Sequence, residues 1–173
     1  MKTQRRSRAL PRKPTTQSLD PVDLKVLELL QEDARTPNAE IGRRVGLVPS
    51  AIFQRLAKLQ KQGVVLGHEV RIDPASIGLG LTAFIFVKAD DRVGSHQTAR
   101  KLAALPEVQE LHDIAGEDCY LLKIRAQDAA DLGRLLREKI GTIGSVRSTR
   151  TTIVLETIKE TGRLPLRPAR PRA

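Results

Sequence analysis

Five basic side chains and no acidic one lie between Ile41 and His68, namely Arg43, Arg44, Arg55, Lys58 and Lys61. The preceding stretch, residues 20–40, is instead dominated by Asp and Glu. A solvated pair of amphipathic helices usually mixes its charges, whereas the phosphates of a nucleic-acid backbone favour a surface without acids. The pattern therefore indicates a surface for double-stranded DNA. The alternative is an ordinary helical hairpin whose basic surface has no such role.

Side chains suited to reading bases lie among these cations. The amide of Gln54 can pair with an adenine edge, and Ala51 or Phe53 can touch the methyl group of thymine. Arg55 and Lys58 are expected to hold phosphates, which position a protein without specifying a sequence. Two alternatives stay open: Phe53 in a secondary core, and Arg55 in an internal ion pair with an acid of the first helix. The predicted DNA-contacting set is Arg43, Arg44, Pro49, Ser50, Ala51, Phe53, Gln54, Arg55, Lys58 and Lys61.

Two short helices joined by a tight turn must position these side chains. Apolar residues recur at helical spacing in both segments, at Ile41, Val45, Ile52, Leu56 and Leu59. Gly46 falls where a sharp corner requires left-handed backbone, and Pro49 suits the first position of the second helix. This is the spacing of a DNA-binding helix–turn–helix, whose second helix enters the major groove.

A further helix is predicted to precede this pair. Asp20 is an N-cap and Pro21 follows at the first helical position. The buried stripe of this helix is expected to comprise Leu24, Leu27 and Leu30. Thr36 and Pro37 repeat the cap-then-proline signal for the second helix.

Beyond the three helices, residues 64–66 and 68–72 are rich in β-branched residues and predict a short wing or a strand that leaves the domain. Asp73-Pro74 and the glycines at 78 and 80 then mark a hinge.

The remainder of the chain has the pattern β-α-β-β-α-β. Strands are predicted over residues 81–88, 108–115, 118–125 and 146–158, and helices over residues 97–105 and 128–140. Both faces of the first strand are apolar, so we expect helices to cover one face and another subunit's sheet to cover the other. This order is that of a ferredoxin-like α+β domain.

The charge of the chain is concentrated at its ends. The chain has 173 residues and a formal net charge of +10. Residues 1–18 carry six basic side chains and residues 161–173 carry four, with no acid in either segment, so the two tails hold the whole excess. Both contain proline and few apolar residues. We expect disordered basic arms that add sequence-independent affinity for DNA, the alternative being solubilising tails.

Several other classes of function are not indicated by the composition. Aromatic residues make up 2%, too few for stacking single-stranded bases. The single Cys119 fits a reducing compartment, and the sequence has neither a membrane-spanning run nor a signal peptide, so we expect a cytoplasmic, nucleoid-associated protein. His68, His96 and His112 are too scattered to form a metal site by spacing. We expect no metal, no cofactor, no membrane partner and no enzymatic activity.

The chain resembles the Lrp/AsnC family of leucine-responsive, or feast/famine, transcriptional regulators from about Leu19 to Glu160. The resemblance is carried by LDPVD (19–23), LLQEDAR (29–35), VGL (45–47), Arg55-Leu56 with Leu59, GVV (63–65), IDP (72–74), GEDCYLLK (116–123) and the strand 146–156. It implies an N-terminal winged helix–turn–helix and a C-terminal ferredoxin-like βαββαβ (RAM-type) regulatory domain. It further implies subunits paired through their sheets in a homodimer or an octamer, with a small effector, commonly an amino acid, bound between dimers.

By this resemblance, the hairpin after the second strand is the candidate effector site. The implied effector-binding residues are Gly116, Glu117, Asp118, Cys119, Tyr120, Thr152 and Ile153. Glycine lets a backbone approach a ligand closely, and the acids can anchor an α-ammonium group. The alternative is an ordinary tight turn whose tyrosine packs inward.

Three positions depart from the family pattern. Cys119 stands where the family often has Asp, so Asp118 or Glu117 would have to accept the ammonium group. Val48 replaces a Ser that caps the recognition helix, at a cost of about 1 kcal/mol. His68 replaces a Tyr.

The predicted organisation has five parts: a disordered basic arm (1–18), a helix–turn–helix domain (19–67), a linker strand or hinge (68–80), a ferredoxin-like effector-binding and oligomerisation domain (81–160) and a disordered basic tail (161–173). The predicted function is sequence-specific transcriptional regulation modulated by a small effector. Two alternatives are a sirohaem-decarboxylase-like enzyme subunit, which would need an Arg/His-lined tetrapyrrole pocket, and a chromatin-organising protein of low sequence specificity.

Overall fold

The computed structural model describes residues 19–92 and 94–166 and divides the chain into two compact units. The first unit contains the chain up to Glu69 and, in addition, the segment that begins at Thr161; the second unit is Val70–Glu160. The predicted basic arm, residues 1–18, and residues 167–173 of the predicted tail lie outside the described residues.

Three helices form the first unit: α1 (Pro21–Glu32), α2 (Asn38–Val45) and α3 (Pro49–Lys61). α1 begins as predicted, because the Asp20 carboxylate accepts from the N–H of Asp23 and the Asp23 carboxylate accepts from the N–H of Asp20. α2 begins one residue later than predicted. Pro37 takes the cap position, and the hydroxyl of Thr36 donates to the carbonyl of Asp33 instead.

The core of this unit is built from Val26, Leu29, Ile41 and Ile52. The predicted stripe of α1 is therefore partly wrong: Leu27 is buried, but Leu24 and Leu30 are only half-buried. The apolar positions that face the other helices are Val22, Val26 and Leu29, at i, i+4 and i+7.

The corner between α2 and α3 has the predicted geometry. Gly46 has φ 73° and ψ 32°, the left-handed conformation that a side chain would strain. The N–H of Leu47 then donates to the carbonyl of Gly42 at 2.9 Å, which closes the turn. Pro49 is the first residue of α3, and Val48 at the cap makes no side-chain hydrogen bond.

The strand predicted within residues 64–72 is not present in the described chain. These residues are mostly exposed and belong to no strand. An extended segment gains strand hydrogen bonds only from a neighbouring strand, and the described residues place none beside it. The strand prediction for this segment is therefore wrong.

The second unit has the predicted element order. It contains β1 (Leu81–Ala89), α4 (Gln97–Ala103), β2 (Val108–Asp113), β3 (Tyr120–Ala126), α5 (Ala129–Arg134), which continues as a π-helix over Leu135–Ile140, and β4 (Val146–Ile153). The four strands form one antiparallel sheet in the order β2-β3-β1-β4. This topology confirms the ferredoxin-like α+β prediction. The last strand ends five residues earlier than predicted.

The two faces of this sheet differ. Ala83, Ile85 and Val87 on β1 are fully buried against the helices, together with Leu102 of α4 and Leu132 of α5. The alternate side chains of the same strand, Phe84 and Phe86, are only half-buried on the opposite face. An apolar face without helices is thus present in the single chain.

The predicted tail begins too early. Within the first unit, residues 161–166 lie against α1, where the amide of Gln31 hydrogen-bonds to both backbone groups of Leu164. Composition alone predicts disorder for this segment, but composition does not report a specific contact such as this one.

Candidate functional site

The outer face of α3 exposes most of the side chains predicted to meet DNA. Phe53 is 66% exposed, which removes the alternative that it belongs to a core. Gln54 is exposed beside it. The remaining members at the start of the helix are Pro49 and Ser50, which are exposed, and Ala51, which is half-buried. The side chains suited to base contacts therefore share an accessible surface.

Arg55 lies on the other side of α3, in the ion pair that was the alternative to a phosphate contact. Its Nη1 is 2.6 Å from Asp20 Oδ2 and 2.6 Å from Asp23 Oδ1. The Asp23 side chain is only 6% exposed. The backbone N–H of Asp23 and the guanidinium of Arg55 lower the pKa of Asp20. Arg55 thus joins the start of α1 to α3, and we correct its assignment from DNA contact to internal support.

Arg43 and Arg44 are also paired. Their guanidinium groups lie 2.7 Å and 2.6 Å from the same oxygen, Glu40 Oε1. The hydrogen bonds from these two arginines lower the pKa of Glu40 to about 2. The sequence from Ile41 to His68 lacks acids, but Glu40 reaches into it from i−3 and i−4. The surface of α2 is therefore less positive than the sequence indicates.

Lys58 and Lys61 differ from these arginines in their surroundings. Both are exposed, and neither makes a salt bridge within residues 19–92 and 94–166. An exposed ammonium group without a protein partner can bind a phosphate without first giving up another contact. Of the five predicted cations, these two are the ones that the described part of the fold leaves available.

The turn between β2 and β3 is tied to the end of β1. Gly116 has φ 151°, a conformation that side chains disfavour. The N–H of Cys119 donates to the carbonyl of Val87 at 2.9 Å, and its thiol donates to the carbonyl of Ala89 at 3.4 Å. The N–H of Ile114 donates to the carbonyl of Cys119 and closes the turn. Cys119 is therefore a structural part of this turn.

Tyr120 packs inward, as the alternative interpretation of the turn predicts. The side chain is 4% exposed, and its hydroxyl donates to Asp91 Oδ2 at 2.6 Å. Asp91 Oδ1 accepts from the hydroxyl of Thr98 at 2.8 Å, and Thr98 also contacts the hydroxyl of Ser145. The hydrogen bond from Tyr120 lowers the pKa of Asp91, while burial and this carboxylate raise the pKa of Tyr120. A polar network beneath the turn thus fixes its final residue.

Arg150 is a residue of this region that the sequence did not single out. It lies on β4 opposite Phe86, with its guanidinium carbon 4.0 Å from the ring centre. Its Nη2 is 2.9 Å from Asp118 Oδ2. The signal was a cation on a strand otherwise rich in Thr and Ser, but only the register shows that it meets the turn. Asp118 and Arg150 form a partly exposed pair of opposite charges.

The other predicted effector-binding residues lie at separate places in the regulatory unit. Glu117 is exposed at the tip of the turn. Thr152 pairs with Phe84 and Ile153 pairs with Ala83, so they point to opposite faces of the sheet. The β1 partner of Thr152, Phe84, is also three residues, about 10 Å, from Val87, whose carbonyl holds the turn. The two residues therefore do not line one pocket within a single chain, and their place in an effector site between dimers stays a prediction.

Two kinds of feature are absent from the part of the chain that the structure describes. No helix of the described residues is long and apolar enough to cross a membrane. No group of three His, Cys, Asp or Glu side chains among residues 19–92 and 94–166 is placed to hold a metal ion.

Both units match known domains. Residues 19–60 match the AsnC-type helix-turn-helix domain, and residues 82–164 match the Lrp/AsnC ligand binding domain. The chain belongs to the Lrp/AsnC family. It is 37% identical over 150 residues to the HTH-type transcriptional regulator FL11 of Pyrococcus horikoshii, covering 86% of this chain and 97% of the relative. This Lrp/AsnC protein is accordingly a transcriptional regulator with a helix–turn–helix DNA-binding domain.

Solved structures of related regulators match most of the chain. The transcriptional regulator of Neisseria meningitidis in complex with L-methionine superposes with a TM-score of 0.80 at 32% identity, over 86% of this chain and 97% of the other. The feast or famine regulatory protein of M. tuberculosis, also complexed with L-methionine, gives 0.79 at 33% identity, over 85% and 99%. Because the relatives are transcriptional regulators, the comparison favours regulation over the sirohaem-decarboxylase alternative.

Proposed function

We propose that this Lrp/AsnC regulator reads a specific DNA sequence with the outer face of α3, and that an amino acid bound at the β2–β3 turn of a homo-oligomer changes its occupancy of DNA in the nucleoid. The observation that carries the proposal is the sorting of charges on α3. Arg55 is held by acids of α1, whereas Lys58 and Lys61 are exposed without a salt bridge among the described residues.

The side chains of α3 have distinct roles in this proposal. Gln54 contacts an adenine edge through its amide, and Phe53 contacts a thymine methyl group. Lys58 and Lys61 bind phosphates and set the register of the helix on the duplex. Arg43 and Arg44 act at the margin, because each must first loosen its pair with Glu40.

The effector is proposed to be a zwitterion that opens the pair of Asp118 and Arg150. Two related structures contain L-methionine, so the family relatives support an amino acid. The carboxylate of such a ligand would replace Asp118 at the Arg150 guanidinium, and its ammonium group would bind the released Asp118. The ring of Phe86 keeps the guanidinium in place during the exchange. Each member of the pair keeps a charged partner, so the exchange leaves no charge unpaired.

The open face of the sheet is proposed to be the subunit interface. Phe84, Phe86 and Leu121 lie on it half-buried, and a cavity of about 400 Å³ is lined there by Thr82, Phe84, Lys123 and the segment that follows β4. Two such faces packed together would bury apolar surface that the helices do not cover. A homodimer is the simplest assembly, and an octamer built from such dimers is the larger one.

One experiment tests the effector site with a natural reporter. Tyr120 is the only tyrosine and the chain has no tryptophan, so the intrinsic fluorescence reports this turn alone. We would titrate the purified protein with each proteinogenic amino acid except tyrosine and tryptophan. The expected result is a saturable change for at least one of them, but not for its amine or its 2-oxo acid, which each lack one charge.

Variants separate the proposed anchor from its surroundings. Arg150→Ala should abolish the fluorescence response at concentrations that saturate the wild type, and Arg150→Lys should restore part of it. Glu117→Gln is the matched control, since Glu117 is exposed at the tip and outside the pair. If Arg150→Ala responded like the wild type and Glu117→Gln did not, the ligand would bind at the tip and the proposed exchange would be wrong.

A further inference from the structure

Two cations of β3 lie nearly buried on the open face of the regulatory sheet, the face that its helices do not cover. Lys123 and Arg125 are two residues apart on the strand, so their side chains point to the same face. These side chains are only 13% and 12% exposed. The alternate residues Leu122 and Ile124 are fully buried against the helices. The core therefore fixes the backbone that carries the two cations.

One carboxylate occupies the place between these two cations. Glu160 Oε1 accepts from the ammonium group of Lys123, and Glu160 Oε2 lies 2.9 Å from Nη2 of Arg125. Each carboxylate oxygen thus has a cation of its own, and charge-assisted hydrogen bonds of this kind are the strong ones. The hydrogen bond from Lys123 lowers the pKa of Glu160, so this carboxylate is ionised at neutral pH. We call Lys123 and Arg125 together the carboxylate cradle.

Each cation of the cradle also has a second partner on β2. Lys123 Nζ lies 3.4 Å from Glu110 Oε1, and Arg125 Nε donates to the side-chain oxygen of Gln109 at 3.2 Å. Both cations would keep these partners if Glu160 moved away. The cradle would then hold two positive charges beside one negative charge, and the group that it lacked would be an anion.

Glu160 belongs to an irregular segment that few hydrogen bonds hold to the sheet. The segment follows β4 and begins at Val154, whose N–H donates to the carbonyl of Thr82 at 2.9 Å. It ends at Glu160, whose carbonyl accepts from Arg71 at 3.2 Å. Residues 155–159 between these two ends make no hydrogen bond with the described part of the chain. A side chain on such a segment can leave the cradle with the loss of few other contacts.

The segment and the sheet enclose enough room for a ligand. The cavity between them has a volume of about 400 Å³, a size typical of small-molecule sites. Lys123 and Glu160 line it together with apolar and hydroxyl side chains, namely Phe84, Val154, Ile158, Thr82 and Thr157. Lys123 is three residues, about 10 Å, along β3 from Tyr120. This cavity is therefore separate from the β2–β3 turn.

We propose that the carboxylate cradle is a second small-molecule site, which binds an organic carboxylate with an apolar body, and that Glu160 is the internal occupant that this ligand displaces. The ligand carboxylate takes the two positions that the oxygens of Glu160 now hold, and its apolar body lies against Phe84. This site does not depend on the effector site proposed at the β2–β3 turn. The competing interpretation is that the ion pairs of Glu160 only fasten its segment to the sheet.

The test is isothermal titration calorimetry of the full-length protein with acetate, 4-methylpentanoate and phenylacetate, in a buffer without phosphate. The corresponding amides, which lack the charge, should not bind. Glu160→Gln should raise the affinity for the acids by about tenfold or more, because an internal occupant leaves only a small fraction of the wild type competent to bind. Lys123→Met should abolish binding of the acids.

Glu156→Gln is the matched control for the loss of charge. Glu156 lies on the same segment and lines the same cavity, but it does not pair with the cradle among the described residues. Since it is exposed, its charge is screened by solvent, and its removal should change the affinity for the acids by less than about twofold.

The outcomes separate a ligand site from a structural fastening. Tighter binding of the acids by Glu160→Gln than by Glu156→Gln would support the site, and a loss of folding could not produce it. Equal affinity in the wild type and Glu160→Gln, or no binding of any acid to either, would overturn the site and leave the ion pairs as a fastening. Acid binding that survived Lys123→Met but was lost in Arg150→Ala would place the ligand at the β2–β3 turn. That result would overturn this site and support the proposed effector site instead.

Discussion

The outer face of α3 and the turn between β2 and β3 present their polar groups in opposite ways. On α3, Gln54 and Lys58 are exposed and ready to contact a partner. At the turn, Tyr120 is hydrogen-bonded to Asp91, and Asp118 forms an ion pair with Arg150. In the proposed function, DNA therefore adds contacts to α3 directly, whereas an effector at the turn would have to exchange contacts that already exist.

This difference has a consequence for specificity. A surface of free cations binds any duplex, and only the base-reading side chains add selectivity. A site that must open this ion pair favours ligands that replace both charges, because the Asp118 side chain, 19% exposed, would otherwise lose its cationic partner. We therefore expect the regulatory unit to discriminate among small molecules more sharply than the positive surface discriminates among DNA sequences.

The largest expected effect is a difference in stability between substitutions of two cations of α3, Arg55 and Lys58. Arg55→Ala leaves the Asp23 carboxylate, 6% exposed, without its partner. We expect it to lower the free energy of unfolding of the first unit by about 2–3 kcal/mol, less than for a fully buried pair because Arg55 is 29% exposed. Lys58→Ala is the control and should change it by less than about 0.5 kcal/mol. Equal losses in urea unfolding would contradict the distinction.

A smaller loss of stability is expected from the hydrogen bonds beneath the β2–β3 turn. Tyr120→Phe removes the donor to Asp91 Oδ2 and should lower the stability of the second unit by about 1–2 kcal/mol at neutral pH. The hydrogen bond lowers the pKa of Asp91 in the folded state, so its stabilisation is present above the ordinary Asp pKa and is lost as pH falls through the lowered one. Circular dichroism during acid titration should thus show the wild type and Tyr120→Phe converging at low pH. A constant gap between them would argue against this coupling.

Lys58→Ala should weaken binding to every duplex without changing the preferred sequence. Removing one phosphate contact reduces the slope of log K against log [salt] by about 0.9. Gln60→Ala, in an exposed uncharged residue of the same helix, is the control for salt-independent effects. A wild-type slope in Lys58→Ala would place this side chain away from phosphate.

The smallest effect is expected from substitution of Glu40, which should raise the affinity for duplex DNA where Lys58→Ala lowers it. Glu40→Gln releases Arg43 and Arg44, which are paired with its carboxylate. Exposed ion pairs of this kind are weak, so affinity for duplex DNA should rise only severalfold. Weaker binding in a fluorescence anisotropy assay would mean that the pairs orient the two arginines for DNA.

The sequence predicted the parts of the fold that depend on local signals. The corner at Gly46, the cap at Asp20 and the β-α-β-β-α-β order all follow from turn chemistry and periodicity, and the structure has them. The strand expected within residues 64–72 failed because a strand needs a partner that periodicity does not supply.

The candidate site was less predictable, because the availability of its charged side chains depends on which acids and bases meet in space. Glu40 and Arg43 are close in sequence, but Arg55 finds its acids 32 and 35 positions away. Arg150 meets Asp118 only through the register of β4 on β1. The placement of Thr152 and Ile153 on opposite faces does follow from strand alternation once β4 is predicted, and could have been anticipated.

The central claim, that exposed side chains of α3 read the sequence of DNA, is tested most directly by selection from a pool of randomised duplexes. The wild type should enrich one motif, Lys58→Ala should enrich the same motif with lower yield, and Gln54→Ala should lose preference at one base pair, typically about 1–3 kcal/mol of discrimination. A Gln54→Ala motif identical to that of the wild type would contradict the role given to this residue. Failure of the wild type to enrich any motif would favour a chromatin-organising protein of low sequence specificity.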